Sequence, residues 1–211
     1  MTPQANDAVS RALRAGPAPR RAEAAAAAAA SERLLERIAR EELADVAYGP
    51  VDSPFGTLHA AVTQRGLVRL AFPEEHEPAM VEQLARRISP RVIRSPRPLD
   101  QVERELDEYF CGRRREFSLK LDWSLIGPFA TRVLTHTYEI PYGSFSSYGE
   151  IAAESGSPRG ARAAGNALGS NPIPIVIPCH RVLHAGGGLG GYGGGLERKR
   201  FLLELEGALE S

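Results

Sequence analysis

Apolar residues in the first half of the chain fall in short runs between turn residues. In the second half they recur at helical spacing and then merge into one proline-punctuated apolar segment. Residues 46–51, 57–63 and 67–72 read as strands, with turns at Asp52-Ser53-Pro54 and Gln64-Arg65-Gly66, and predict a small antiparallel sheet. Ahead of them, Leu34, Leu35, Ile38 and Leu43 follow a helical pattern that starts after Ser31 and runs to about Asp45. Helices are expected near 78–87 and 99–110, the second closed by Gly112. Asp122-Trp123 precedes a fresh helix start at Gly127-Pro128, which places a boundary between a first domain over 31–126 and a second over 127–211.

The second domain reads as mainly helical, beginning with a helix over 128–138 that stops before Pro141-Tyr142-Gly143. Ser147-Tyr148-Gly149-Glu150 has the pattern of a capping box, so a helix starts at Tyr148, and Gly156 ends it. Ser157 and Pro158 then supply an N-cap and a first-turn proline for a second helix to about Leu168; two short helices joined by a glycine turn predict a helix-turn-helix. Two glycines and four alanines leave this second helix almost without bulk, although each glycine costs about 1 kcal/mol relative to alanine. A face so bare permits close approach to another surface, with Arg159 and Arg162 as its long reaching groups. A tightly packed internal helix is the alternative, but it would require buried partners for both arginines.

Prolines 172, 174 and 178 exclude a helix interior and predict an extended strut that delivers Cys179-His180-Arg181-Val182. The thiolate is the nucleophilic form of cysteine, and a cysteine opening a helical turn beside a histidine has features that lower its pKa. Adjacent side chains diverge, so His180 is expected to act through a water, oriented by Glu204 or Glu206. The loop over 186–195 sets eight glycines around Tyr192. Its G-x-G-x-x-G matches do not predict a dinucleotide site, because no further strand follows to build a parallel sheet. Backbone this bare suits the wall of a flat ligand, with Tyr192 as its lid.

With 211 residues, 43% of them hydrophobic, and no apolar run approaching the ~20 needed to cross a bilayer, the chain reads as soluble and without a membrane role. The formal net charge is zero, but between Ser146 and Arg200 six basic residues (Arg159, Arg162, Arg181, Arg198, Lys199, Arg200) face three acidic ones, an excess suited to a phosphate backbone. Two cysteines allow neither a disulfide framework nor a four-cysteine zinc site, and a reducing cytoplasm is the expected setting. Cys111 reads as a helix-end packing residue. Arg20-Arg21 before the alanine run 24–30 has the outline of an export signal, but alanine is weakly apolar and Glu23, Glu32 and Arg33 flank the run. Residues 1–30 are read as a disordered or weakly helical extension.

From residue 46 to 207 the chain resembles the O6-alkylguanine-DNA alkyltransferases, through Ile140-Pro141-Tyr142-Gly143, Ser147-Tyr148-Gly149-Glu150, residues 163–172, Pro178-Cys179-His180-Arg181 and the stretch 191–207. The resemblance implies an α/β N-terminal domain, ribonuclease-H-like, and a mainly α C-terminal domain with a winged-helix-like helix-turn-helix that enters the DNA minor groove. It further implies stoichiometric, irreversible repair of O6-alkylguanine, and of O4-alkylthymine, in double-stranded DNA by a monomer, with no cofactor. By the same resemblance Cys179 is the nucleophile and methyl acceptor, His180 and Glu206 the relay, Asn171 the hinge that orders the site, and Tyr148 a phosphate-pressing residue that protonates the base. Arg162 is the finger that fills the stack, with Arg159, Ala163 and Gly165 on the DNA-facing helix. Val182, Gly191, Tyr192 and Gly193 line the base pocket. Two departures stand out: Gly193 replaces a hydroxyl residue common in the family, and the zinc ligands of some relatives have no cysteine counterparts in the first 110 residues, so no metal is expected.

Three other readings compete. A non-enzymatic lesion binder of the same fold would lack the nucleophile, a cysteine hydrolase would turn over, and a helix-turn-helix regulator would leave the cysteine segment unexplained.

Overall fold

The computed structural model describes residues 44–209 together with Ala26 and Ala30; the helix expected after Ser31 and the extension before it otherwise lie outside the described residues. From Ala44 onward the chain forms one compact unit. Strands β1 (Val46–Val51), β2 (Leu58–Thr63) and β3 (Gly66–Ala71) pair antiparallel as the sequence pattern predicts. The sheet is nonetheless mixed, because β4 (Val92–Arg94) adds to the free edge of β1 in parallel, giving the order β3-β2-β1-β4. Three residues are too few to show an alternating pattern, and β4 has none in the sequence.

Gly66 opens β3 with φ 129°, and a Cβ there would strike the Lys120 carbonyl, so only glycine admits the close approach of the 119–122 segment. That segment hydrogen-bonds along β3, from Leu67 N to Lys120 O at 2.8 Å and from Asp122 N to Leu67 O at 2.8 Å. Helix α1 (Glu77–Arg87) covers one face of the sheet, burying Met80 and Leu84 against Val46, Ala61 and Val68. Helix α2 (Asp100–Phe110) belongs to a second core, where Val102, Leu106 and Tyr109 meet Leu58, Leu67 and Leu70.

This second core continues without a break into the rest of the molecule, taking in Val133 and Leu134 of α3 (Pro128–Tyr138), Ile151 of α4 (Tyr148–Glu154) and Ala164, Ala167 and Leu168 of α5 (Ala161–Gly169). The capping box of α4 is present in full: Glu150 N donates to Ser147 Oγ at 3.2 Å, and Ser147 N donates to the Glu150 carboxylate at 2.7 Å. Helix α5 begins three residues later than its proline suggests. Gly160 N donates to Ser157 O at 2.7 Å, closing Ser157-Pro158-Arg159-Gly160 as a turn, and Gly160 becomes the N-cap. Short parallel strands β5 (Ser146–Ser147) and β6 (Val182–Leu183) and the final helix α6 (Leu196–Leu205) complete the described fold.

Candidate active site

The prolines upstream of Cys179 predict an extended strut, but the chain turns back on itself instead. Ile177 N donates to Ile173 O at 2.9 Å, and Ile175 takes φ 74°. A β-branched residue in the left-handed region is strained by about 1–3 kcal/mol. Here Ile173, Ile175, Val176 and Ile177 are all buried, so the turn is held by the core. Asn171 fastens it: its Oδ1 accepts from Ile173 N at 3.0 Å, and its Nδ2 donates to Ile177 O at 2.9 Å and to Cys179 Sγ at 3.1 Å. Cys179 then opens a single 3-10 turn, Cys179–Arg181.

Behind the sulfur lies a buried polar cluster centred on Glu206. Its carboxylate meets His180 Nε2 at 3.0 Å and accepts from Arg181 Nε at 2.8 Å, Arg181 Nη2 at 2.9 Å and Tyr109 Oη at 2.6 Å. Burial alone would raise its pKa; the bonds to His180 and Arg181 overcome that and hold it at about 2. Of the two carboxylates considered from sequence, Glu206 is the one that reaches His180. The Ile140-Pro141-Tyr142-Gly143 turn braces the cluster: Arg181 Nη1 donates to Ile140 O at 2.5 Å, Tyr142 Oη donates to Leu205 O at 2.9 Å, and a Cβ on Gly143 would crowd Glu206 O at 2.9 Å. Burial lowers the pKa of His180, which is therefore neutral. With Nε2–H donating to Glu206, Nδ1 carries the lone pair, and it is buried with no protein partner.

The thiol itself departs from expectation. The cysteine–histidine pairing predicts a lowered pKa, yet burial pushes Cys179 up to about 11, against smaller lowering effects of the Asn171 hydrogen bond and the Lys199 charge. Lys199 was counted among groups for a phosphate backbone, but it is fully buried. Its Nζ donates to Val182 O at 2.6 Å and also to Leu189 O, and burial lowers its pKa to about 8. Arg181 is likewise withdrawn into the Glu206 cluster, and Arg198 forms a two-pronged ion pair with Glu74. The basic excess in the sequence thus divides between site and surface, leaving Arg159, Arg162 and Arg200 exposed.

A cavity of about 540 Å³ opens onto the sulfur and brings Tyr148, Arg162, Gly165, Cys179, Gly191, Tyr192 and Gly193 together. Arg159 and Ala163 are exposed but do not line it, and Val182 is buried with its carbonyl engaged by Lys199. His184, which sequence reasoning passed over, also lines the cavity, its ring 5.2 Å from that of Tyr148. Tyr148 Oη donates to Gly191 O at 3.2 Å, and burial and then Cys179 raise its pKa. A Cβ on Gly190 would collide with the Tyr148 hydroxyl, which gives that loop glycine, at φ 65°, a specific reason. The groups around the sulfur supply donors and one neutral base; among the described residues no group of three or more His, Cys, Asp or Glu is placed to hold a metal.

A mixed sheet backed by helices, a helical second half with a thinly clad outer helix, and one buried cysteine facing a cavity define a cysteine-centred protein of two sequence modules. Residues 46–123 match the family description "6-O-methylguanine DNA methyltransferase, ribonuclease-like domain" and residues 128–208 match "6-O-methylguanine DNA methyltransferase, DNA binding domain". The chain is 44% identical over 163 residues to the methylated-DNA–protein-cysteine methyltransferase of Mycolicibacterium paratuberculosis, covering 76% of this chain and 92% of that protein. The crystal structure of Mycobacterium tuberculosis O6-methylguanine methyltransferase superposes with a TM-score of 0.66 at 41% identity, over 77% of this chain and 93% of that one. The M. tuberculosis OGT in complex with DNA does so with a TM-score of 0.66 at 40% identity, over 76% and 92%. The chain belongs to the 6-O-methylguanine DNA methyltransferase family.

Proposed function

We propose that the protein repairs DNA by moving the alkyl group from O6 of guanine, and from O4 of thymine, onto Cys179 in one irreversible turnover. The observation that carries this reading is the sulfur of Cys179 at the wall of a cavity that also contains the exposed Arg162, with the neutral His180 and ionised Glu206 buried behind it. The names of the matched relatives support the same chemistry.

With its pKa near 11, the resting thiol keeps its proton at neutral pH and is protected from casual alkylation. His180 Nδ1 takes that proton through a bridging water, Glu206 stabilises the imidazolium that results, and Asn171 Nδ2 and Lys199 favour the thiolate. The sulfur then attacks the alkyl carbon in line. The S–C bond forms as the C–O6 bond breaks, guanine leaves with the electron pair, and Tyr148, whose raised pKa keeps it protonated, is the donor to the leaving base. The thioether has no carbonyl for water to attack, so the acceptor is spent. No cofactor enters the balance.

Helices α4 and α5 act as a helix-turn-helix that enters the minor groove, the protein binding as a monomer. Gly165 and Ala163 allow the backbone to come close, Arg159 contacts the phosphates, and Arg162 occupies the gap left by the flipped base, whose unstacking costs a few kcal/mol. Gly191, Tyr192 and Gly193 wall the extruded guanine. A reducing cytoplasm keeps Cys179 and Cys111 as the free thiols the structure contains.

Incubation with duplex DNA carrying O6-methylguanine, followed by peptide mapping in a mass spectrometer, should find one methyl per chain on Cys179 and none in Cys179→Ala. Repeated turnover, as a hydrolase would give, or methyl on any other residue would refute the reading.

A further inference from the structure

A second cavity, of about 310 Å³, lies where the glycine loop meets the first half of the chain. It is lined by Phe72 and Glu75 from the first half and by Cys179, Tyr192, Gly193 and Gly194 from the second. Cys179, Tyr192 and Gly193 also line the first cavity, so the wall proposed for the base borders a second open space. Three consecutive glycines, 193–195, give that wall no side chains of its own and the widest backbone freedom. Its position has to be imposed by neighbours.

Arg198, in the first turn of α6, contacts the wall and its support together. Its Nη1 donates to Gly194 O at 3.0 Å, and Nη1 and Nη2 donate to the two carboxylate oxygens of Glu74 at 2.9 and 2.5 Å. The guanidinium also lies over Phe72, 4.8 Å from the ring centre, and over Phe55 at 5.6 Å. Phe72 in turn meets Tyr192 edge-on with ring centres 6.1 Å apart, and a Cβ on Gly194 would stand 2.5 Å from the Phe72 ring. An exposed ion pair contributes little by itself. Here the arginine is mostly covered, and its planar fork serves two acceptors while its face stacks on two rings, which a lysine cannot reproduce.

We propose that Arg198 is a positioning residue for the base. Together with Glu74 and Phe72 it latches the Tyr192–Gly194 wall to the first half of the chain and keeps the wall from relaxing into the second cavity. Arg198 does not line the first cavity, so it acts through the wall, on how tightly the pocket holds guanine, and leaves the chemistry at the sulfur unchanged. This rests on Cys179 being the alkyl acceptor and on residues 191–193 walling the extruded guanine.

The test follows benzylation of Cys179 by free O6-benzylguanine, where no DNA contact contributes, over a range of base concentrations by mass spectrometry. Arg198→Ala should raise the half-saturating concentration about fivefold, one hydrogen bond's worth, with little change in the rate at saturation. Arg198→Lys should resemble the alanine variant, because it keeps the charge and loses the fork. Glu74 is exposed, so Glu74→Gln guards against a folding defect in the arginine variants; it leaves the Gly194 and ring contacts in place and should give a smaller rise. An unchanged half-saturating concentration in Arg198→Ala or in Glu74→Gln, a loss confined to the rate at saturation, or full retention by Arg198→Lys overturns the latch while alkyl transfer to Cys179 still stands. Absence of benzyl on Cys179 in the wild-type protein overturns both.

Discussion

Around Cys179, burial shifts the ionisation of the thiol and of Lys199, and hydrogen bonds override it at Glu206. The thiol rises to about 11 and Lys199 falls to about 8, both first because of burial, while Glu206 is held at about 2 in spite of it. Glu206 has a measurable consequence. Its folded pKa lies below the unfolded value near 4.5, so the unfolded chain binds the proton first as the pH falls. The stability it lends is complete above about pH 5 and is lost as the pH drops toward 2, amounting to about 3 kcal/mol for one carboxylate. Glu206→Gln should destabilise the protein at pH 7, where it strands Arg181 in the interior, and its stability should depend less on pH between 5 and 2 than that of the wild type. Denaturant titrations at pH 7, 5 and 3 check this, and parallel losses in both proteins would contradict it. At this scale residue type and spacing singled out Cys179 and His180 with Glu204 or Glu206 as the orienting carboxylate, and the family resemblance added Asn171 and the choice of Glu206. Lys199 and Tyr109 stayed hidden, since nothing in a sequence separates a lysine that is buried on three carbonyls, or a tyrosine that reaches a carboxylate 97 residues away, from ordinary helix residues.

Helix α5 is the element in which stability and proposed function oppose each other. Ala164, Ala167 and Leu168 bury one face, and Gly165 lies beside it with a hypothetical Cβ 3.7 Å from the Tyr148 ring, an ordinary contact. Gly165→Ala therefore fits without strain and should raise stability by up to about 1 kcal/mol through helix propensity. If the bare face lies against DNA, the same methyl should weaken duplex binding several-fold. Thermal melting and fluorescence anisotropy on undamaged duplex check the two effects together, and unchanged binding would remove the close-approach argument. Elements with local signals were legible: the capping box of α4, the three antiparallel strands and the helix bounds of α3 all follow from side chains adjacent in sequence. The start of α5 and the turn at Ile175 were not, because each depends on a competing hydrogen bond that the proline pattern does not reveal.

At the scale of the whole molecule, the first half supports the site directly. Leu70 N donates to Pro172 O at 2.8 Å, Phe72 packs edge-on against Tyr192 with ring centres 6.1 Å apart, and Arg198 stacks over Phe72 at 4.8 Å while it pairs with Glu74. Tyr109, buried in α2, donates to the same Glu206 oxygen that meets His180. Tyr109→Phe should cost about 1–3 kcal/mol, the loss of a buried bond to a charged group, and should slow methyl transfer by freeing Glu206 to shift. Stability and single-turnover rates measured side by side test this; a normal rate in a folded variant would confine Tyr109 to packing. Composition, local periodicity and motif spacing by themselves determined the three antiparallel strands, the helices α1 to α5, the one candidate nucleophile and the family likeness, because these depend on residues close together in the chain. The mixed sheet, the raised pKa of the thiol, the burial of Lys199 and Arg181 and the second cavity were decided only in three dimensions. Each depends on residues distant in sequence that meet only in the folded chain, and such meetings have no signature in a local pattern.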